Sequence, residues 1–521
     1  MAKKAAIYDS LFIVLLTTVC HFLFSKYGFN PTDEGFVLSS TNRVLHGQIP
    51  HVDFSSLRPL GYAYLHIPEL LFSKDYVLLI SRFVFWLEQS LIAFLWIRFV
   101  LRSCKIEISA FAKYTLVVLC FIFNVHYFPS SVLHTIDGLL MCLIGLNIVI
   151  AEKKYAFIGF FFIGFAILCK QNYLVILLIT LILFNKKNII LNIIIGVLPV
   201  ALYVVFISIN NGCNNLMVQL SSHNELLKVG ITPYIFSKLF FIGIIVTILI
   251  LFIKSRLLQY AYFYALIIIM SYAMLTNTYH EKFSFLIFGA SIGCFLFSIY
   301  KKQYRLSITF FIGTALAWCV SISVGYNSPA LFLGALLTLM FICQSNVHGY
   351  TKLVNAYLLF ILLQSSLIFY YVRNHNIYRD AAKPLLAYKL DGLVEGAYGI
   401  KTNINTFKVL VELDILKKKY PEAIVIPDFT ACHIQQSHLS KIATEWPNKT
   451  EIPNQQILNF VLKNFVNDTS MILIPKYNLA KLSTGFEAVP KNKSGEFLIL
   501  TYVYNHYKKT GESNYFEFYK K

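Results

Sequence analysis

The sequence predicts an α-helical polytopic membrane protein with about thirteen transmembrane helices and a C-terminal soluble α/β domain. Its 521 residues are 57% hydrophobic and only 14% charged, whereas soluble globular domains carry roughly 25% charged residues. The apolar residues are also gathered into long runs, and a helix of about 20 apolar residues crosses the hydrocarbon core of a bilayer. Composition and run length together exclude an ordinary soluble protein.

Apolar runs occupy most of residues 1–372, which we predict to form one transmembrane domain. The first run, Ile7 to Phe24, has no small-residue cleavage site and predicts a signal anchor. The predicted spans are 7–26, 76–101, 109–128, 136–151, 155–169, 172–184, 189–209, 234–253, 258–276, 283–299, 306–323, 330–343 and 353–372.

The loops between these spans are of two alternating kinds. One kind is basic, as at Lys153-Lys154 and Lys301-Lys302, and such loops face the cytoplasm by the positive-inside rule. They account for the net charge of +19 without a nucleic-acid partner. The other kind is poor in basic pairs and richer in acidic, amide and histidine side chains. The alternation predicts a multi-pass protein with a cytoplasmic N-terminus, and an odd number of spans places the tail outside.

The tail, residues 373–521, is predicted to be a separate extracytoplasmic unit. Its apolar runs alternate with helical patterns, which is typical of a small α/β domain. It contains no Gly-rich phosphate loop, so we predict no nucleotide cofactor. The predicted strands are 423–427, 471–475 and 515–519, and the predicted helices lie near 403–419 and 454–466.

The first outer loop, residues 27–75, carries the most informative charges. Asp33 and Glu34 are predicted to stand in the first turn of an amphipathic helix, where acidic residues are normal. A second amphipathic helix is predicted around Ile67, and both are expected to lie on the membrane surface. Capping alone would explain the acidic pair, but charges held against a bilayer are costly and usually functional. We therefore expect the chemistry in this loop.

Three segments of the loop together resemble a known family. They are Thr32-Asp33-Glu34-Gly35, His51-Val52-Asp53-Phe54 and Arg58-Pro59-Leu60-Gly61-Tyr62. In this order after the first span, they resemble the first outer loop of the GT-C glycosyltransferases, which include the protein O-mannosyltransferases and the bacterial lipid A aminoarabinose transferase. The resemblance covers about the first 180 residues, and the span count and outer tail are similar to the aminoarabinose transferase layout.

The resemblance implies an activity at the outer face of a bacterial inner membrane. A monomeric enzyme of this family moves a sugar, with inversion, from a polyprenyl-phosphate donor such as undecaprenyl phosphate to an acceptor hydroxyl. The acceptor is a cell-envelope glycan such as lipopolysaccharide, a glycolipid or a protein. Among the family's residues, Asp33 corresponds to the general base, Glu34 to its neighbour and Asp53 to the second acidic position. Arg58 and Lys170 are the candidates for the donor phosphate.

Further polar residues on the same side are candidates for the substrate cavity. A divalent cation (Mg, Mn, Ca or Zn) could be bound by His280 with Glu34 or Glu281, although an adjacent His and Glu form no specific metal motif. Purely structural roles would also explain three of these residues. Asp137 could cap a helix, Lys170 could extend its ammonium to the membrane interface, and Tyr326 could belong to an ordinary turn. The cavity candidates are His134, Asp137, Gln171, Tyr279, Glu281 and Tyr326, and His280 and Lys282 are further phosphate candidates.

Three alternatives to this hypothesis remain open. A transporter or flippase of lipid-linked sugars is one, although such proteins are often built from internal repeats with sites at the midplane, and no repeat is evident here. An O-antigen ligase or oligosaccharyltransferase relative, which transfers whole polymers, is the second. The third is a structural assembly protein in which the tail is the working part and Asp33 has no catalytic role.

Overall fold

The computed structural model describes residues 2–126, 128–151, 153–184, 188–222, 226–253, 255–278, 282–321, 328–348, 352–427, 429–434, 442–463, 465, 470–489 and 498–521. The helices up to residue 375 are α1 (Ala2–Phe24), α2 (Phe36–Leu45), α3 (Gly61–Leu65), α4 (Ile67–Phe72), α5 (Val77–Cys104), α6 (Ala110–Val125), α7 (His134–Ala151), α8 (Ala156–Cys169), α9 (Leu174–Phe184), α10 (Ile189–Ile209), α11 (Cys213–Ser221), α12 (Leu226–Phe236), α13 (Lys238–Phe252), α14 (Arg256–Leu275), α15 (Ser284–Tyr300), α16 (Tyr304–Ser321), α17 (Leu333–His348) and α18 (Lys352–His375).

Each of the thirteen predicted spans falls on one of these helices. In the described part of the chain, seven helices are long and apolar enough to cross a membrane alone. The end of α12 and α13, which are bent by 65° at their junction, are long and apolar enough only as a pair, and five further apolar helices are shorter. The predicted fold class, a multi-span helical membrane protein with a small mixed region at its C-terminus, is confirmed.

Close helix contacts in the bundle depend on glycine. A side chain at Gly164 of α8 would collide with the carbonyl of Gly196 in α10, and one at Gly289 of α15 would collide with the carbonyl of Phe240 in α13. Membrane helices gain packing energy when small residues let their backbones approach. These contacts therefore fix which helices are neighbours.

The first loop differs from its prediction in two respects. Gly35 has φ 93°, so α2 begins only at Phe36 and the acidic pair lies in the turn before the helix. Residues Phe36 to Arg43 of α2 are all buried, because the C-terminal region covers the helix. Thr430 donates to the carbonyls of Thr32 and Glu34 at 2.9 Å each. The helix predicted to lie on the membrane surface is therefore buried between the helix bundle and the C-terminal region.

The C-terminal region contains both predicted helices and all three predicted strands. A four-stranded sheet has the order β3 (Ile424–Val425), β4 (Ile472–Pro475), β6 (Phe516–Lys520) and β5 (Lys508–Glu512), in which only the β3–β4 pair is parallel. The strands β1 (Tyr388–Lys389), β2 (Lys401–Thr402) and β5 and the helix that follows residue 497 were not predicted. The elements are β1 (Tyr388–Lys389), β2 (Lys401–Thr402), α19 (Ile404–Lys419), β3 (Ile424–Val425), α20 (Gln455–Leu462), β4 (Ile472–Pro475), α21 (Leu498–His506), β5 (Lys508–Glu512) and β6 (Phe516–Lys520).

The sheet buries both of its faces. One face packs Val425 and Leu473 against α19, and the same apolar cluster includes Phe29, Leu38 and Val77 from the first loop and the start of α5. The other face packs against α20 and α21. Because one core is shared, the C-terminal region and the first loop are fixed to one another. The boundary at 372/373 stays a prediction.

Candidate functional site

Asp33 lies in a turn that leaves half of its carboxylate unused. Its Oδ2 accepts hydrogen bonds from the hydroxyl of Tyr378 at 2.7 Å and from Arg379 at 2.9 Å. Its Oδ1 is buried and has no hydrogen-bond partner among the described residues. The side chain as a whole keeps 17% exposure. The arrangement orients the carboxylate through one oxygen and leaves the other able to accept a proton.

Glu34, the next residue, is fully engaged by an arginine of α5. Arg82 Nε lies 2.7 Å from Oε1 and a terminal nitrogen lies 2.8 Å from Oε2, with both side chains 5% exposed. Arg82 also donates to the carbonyls of Ser25 and Gly28. This forked pair joins the first loop to α5, and Arg suits it because its guanidinium matches a carboxylate at two points.

Asp53 does not join the other two carboxylates. Its Oδ2 accepts from the backbone N–H of Ile49 at 2.6 Å, and its side chain is exposed. The residue therefore closes a local loop. The predicted role of Asp53 as the second acidic position stays a prediction.

Arg58, His134 and Lys170 form a basic group beneath the first loop. The guanidinium of Arg58 lies 5.3 Å from the ring centre of Phe36 and donates to Glu451 at 2.9 Å. The His134 ring lies 6.4 Å from that of Phe36. Burial lowers the pKa of Arg58, but Glu451 and Tyr62 together outweigh it and raise the pKa above its ordinary value. Phe36 thus links this group to Asp33, three residues earlier in the chain.

Lys170 is the member of this group with the weakest local pairing. Its side chain is buried, and Nζ makes one long contact, 3.4 Å to the carbonyl of Val320. Burial, reinforced by the positive charge of Arg58, lowers the pKa of Lys170 to about 7. No carboxylate lies within ion-pair distance of Lys170 among the residues that the structure describes. An anionic ligand bound beside Lys170 would favour the protonated, positively charged form of its amine.

Asp137 belongs to a second, fully buried cluster. His66 Nδ1 lies 2.6 Å from Glu69 Oε1, and its Nε2 lies 3.2 Å from Asp137 Oδ1. Ligand atoms of His66, Glu88 and Asp137 all lie within 4.8 Å of one another. One oxygen of each carboxylate in the cluster, Glu69, Glu88 and Asp137, has no partner in the described residues. Burial disfavours the imidazolium, but Asp137 and Glu69 outweigh it and raise the pKa of His66 well above its ordinary value.

The remaining candidates are distributed as follows. Gln171 reaches the carbonyl of Leu57 at 3.5 Å, beside Arg58, and Lys282 is exposed. Tyr279, His280, Glu281 and Tyr326 lie outside the described residues.

Several site residues escaped the sequence analysis. Glu88 and Arg82 were detectable, because ionisable residues inside an apolar span are rare. Tyr378, Arg379 and Glu451 lie more than 340 residues from their partners, and no local pattern marks them.

Comparisons with known proteins find distant structural similarity only. The chain is similar to a crystal structure of the Archaeoglobus fulgidus oligosaccharyltransferase with Zn and sulfate, at 13% identity and TM-score 0.46, over 89% of this chain and 68% of that chain. It is also similar to the archaeal oligosaccharyltransferase AglB from the same organism with an inhibitory peptide and a dolichol-phosphate, at 12% identity and TM-score 0.45, over 90% and 69% of the two chains. No protein-family model and no curated protein matches the sequence.

Proposed function

We propose that this protein is an inverting glycosyltransferase that moves a sugar from a polyprenyl-phosphate donor to an acceptor hydroxyl, with Asp33 as the general base. The observation that carries the proposal is the state of Asp33. One oxygen is held by Tyr378 and Arg379, and the other is buried and unpartnered among the described residues. A general base needs a fixed carboxylate with a vacant lone pair.

The reaction follows from this arrangement. The acceptor oxygen attacks the anomeric carbon, the bond from that carbon to the phosphate oxygen breaks, and the acceptor proton passes to Asp33 Oδ1. The phosphate leaves with the bonding electron pair. Lys170 and Arg58 supply the positive charge that stabilises it, and fixed charges of this kind lower the barrier because they need no reorganisation during the reaction.

A lipid-linked donor fits the surroundings of the site. The basic group lies at the ends of apolar helices, where a phosphate and a prenyl chain would meet their preferred environments together. The sequence offers no phosphate-binding Gly-rich loop for a nucleotide sugar. We place the site on the outer face of a bacterial inner membrane, with residues 373–521 as the extracytoplasmic domain that contacts a glycan, glycolipid or protein acceptor.

A divalent cation fits the buried cluster, whereas of the predicted pair Glu34 is already bound by Arg82 and His280 lies outside the described residues. His66, Glu88 and Asp137 would hold it, because one carboxylate oxygen each of Glu88 and Asp137, without a partner among the described residues, is buried beside the His66 ring. One nitrogen and two carboxylate ligands suit Zn or Mn. The cation would supply charge that offsets the buried carboxylates. On this proposal, metal analysis of purified protein finds about one equivalent of metal, and His66→Ala and Glu88→Gln remove it while Asp75→Asn does not.

The central experiment measures sugar transfer in membranes that contain a radiolabelled polyprenyl-phosphate sugar pool. We expect Asp33→Asn to lower transfer by about 10²–10⁴-fold, the usual contribution of a positioned base. Asp75→Asn is the matched control, because Asp75 is an exposed carboxylate of the same loop. Unchanged transfer in Asp33→Asn would overturn the role of Asp33. Labelled lipid that changes leaflet without any transfer would favour a flippase.

A further inference from the structure

A cavity of about 440 Å³ lies at the end of the helix bundle opposite the first loop. It is lined by the final turns of α13, α15 and α17 and by the opening turns of α14 and α16. The first loop follows the end of α1 and packs against the end of α8, where Gly61 meets Leu168. Counting alternate crossings from there puts the cavity at the other face of the membrane. The cavity is therefore separate from the proposed transfer site.

The walls of the cavity are mainly apolar, and their polar groups are partly paired. Thr247 and Tyr262 share a hydrogen bond of 2.6 Å, and Ser298 pairs with Ser307 at 2.9 Å. The Nε2 of Gln344 is buried and has no partner among the described residues. An apolar cavity with a few convergent polar groups is the usual form of a small-molecule site. The apolar lining comprises Ile250, Leu251, Phe252, Phe263, Leu266, Phe297, Leu306 and Met340.

Lys301 is the only charged residue in the described lining. Its Nζ lies 5.2–5.9 Å from the ring centres of Phe252, Phe297 and Tyr300, and no carboxylate pairs with it among the described residues. The helices α13 to α17 contain no acidic residue at all. Any counter-charge for Lys301 must therefore come from outside this part of the bundle.

We propose that this cavity binds an anionic phospholipid, with an acyl chain between the helices and the phosphate at Lys301. The surrounding solvent at this depth is hydrocarbon, so an apolar cavity there takes up lipid chains at little cost. A lysine at the mouth selects a headgroup with net negative charge, since basic residues near the membrane surface attract anionic lipid. The unpartnered amide of Gln344 offers a further donor to an ester or phosphate oxygen.

Native mass spectrometry of the purified full-length chain, titrated with phosphatidylglycerol or phosphatidylcholine, tests this site. We expect one phosphatidylglycerol to be retained more tightly than phosphatidylcholine. Lys301→Gln should weaken phosphatidylglycerol binding by about tenfold, through loss of one charge-assisted hydrogen bond, and leave phosphatidylcholine unchanged. Cys294→Phe, which fills the cavity, should weaken both. Lys105→Gln is the control, because Lys105 belongs to another basic loop and does not line the cavity.

Two results would overturn the proposal. One is phosphatidylglycerol binding that is equal in Lys301→Gln and the native chain. The other is displacement of phosphatidylglycerol by polyprenyl phosphate at equal concentration, which would make the cavity a donor site. Gel filtration and thermal unfolding of each variant show whether it is folded, so that a loss of lipid is assigned to the cavity.

Discussion

Asp33 and Glu34 are adjacent carboxylates with different surroundings. Glu34 is buried in a forked pair with Arg82, while Asp33 keeps one oxygen without a partner among the described residues. The difference arises because the turn before Gly35 directs the two side chains to different elements, one to α5 and one to the segment after α18. Glu34 therefore holds the turn in which Asp33 is positioned.

Glu34→Gln should reduce stability much more than Asp33→Asn. Removing one partner of a buried ion pair leaves the other charge uncompensated, which typically costs roughly 3–5 kcal/mol. Thermal unfolding in detergent measures the effect, and Arg82→Met combined with Glu34→Gln should recover part of the loss. Equal unfolding temperatures for Glu34→Gln and Asp33→Asn would contradict the assigned roles.

The lowered pKa of Lys170 leads us to expect that donor binding depends on pH. Its pKa of about 7 means that its ammonium form declines above neutral pH, while Arg58 beside it stays charged. In the described part of the chain, His134 and Cys319 are further titratable groups that face it. Donor affinity should therefore fall by up to about tenfold per pH unit above pH 7. Lys170→Arg should flatten the profile between pH 7 and 9. A flat profile in the native chain would argue against phosphate contact.

The helix α2 joins the membrane bundle to the C-terminal region. Arg43 donates to the carbonyl of Ile442 at 2.8 Å and forms an ion pair with Glu445. Gly35 at its start lies directly against Ile434, where a Cβ would come within 2.7 Å of the isoleucine side chain. The residue before the helix can lie this close to Ile434 only because it combines a left-handed backbone with no side chain.

Gly35→Ala should therefore destabilise the protein more than Gly47→Ala. Both glycines have positive φ, at 93° and 79°, so both substitutions incur a left-handed strain of about 1–2 kcal/mol. A Cβ at Gly47 meets nothing within 4 Å, whereas at Gly35 it collides with Ile434. Limited proteolysis of the C-terminal region and thermal unfolding measure the difference. An equal loss of stability in both variants would mean that backbone strain alone explains the effect and that the contact with Ile434 contributes nothing.

At the scale of the whole molecule, two sets of charges lie at opposite ends of the bundle. The end that carries the first loop gathers carboxylates and paired arginines, and the other end carries the basic loops. The exposed free thiol of Cys213 lies at the first-loop end, where Gly212 packs against Val52. This thiol gives a direct probe of orientation.

A membrane-impermeant maleimide should label Cys213 from outside the cell. In a Cys432→Ser background, labelling of intact spheroplasts should be lost on adding Cys213→Ser, and a cysteine introduced by Lys105→Cys should react only in inverted vesicles, because basic loops face the cytoplasm. Reversed sidedness of the two thiols would invert the proposed orientation and move the transfer site to the cytoplasm.

The sequence by itself determined the membrane class, the thirteen helical segments and part of the C-terminal region, namely α19, α20, β3, β4 and β6. These depend on local quantities, namely the length of apolar runs against the bilayer thickness and the period of apolar residues in the tail. It also pointed to the first loop, because Asp33 and Glu34 are charges beside lipid.

Only the tertiary structure decided what each charge does. The partners of the acidic and basic residues are far away in the chain: 48 residues separate Arg82 from Glu34, 345 separate Tyr378 from Asp33 and 393 separate Glu451 from Arg58. His66 and Asp137 likewise meet across 71 residues. Such pairs depend on which helices and loops pack together, and packing is a property of the folded chain that no local pattern records.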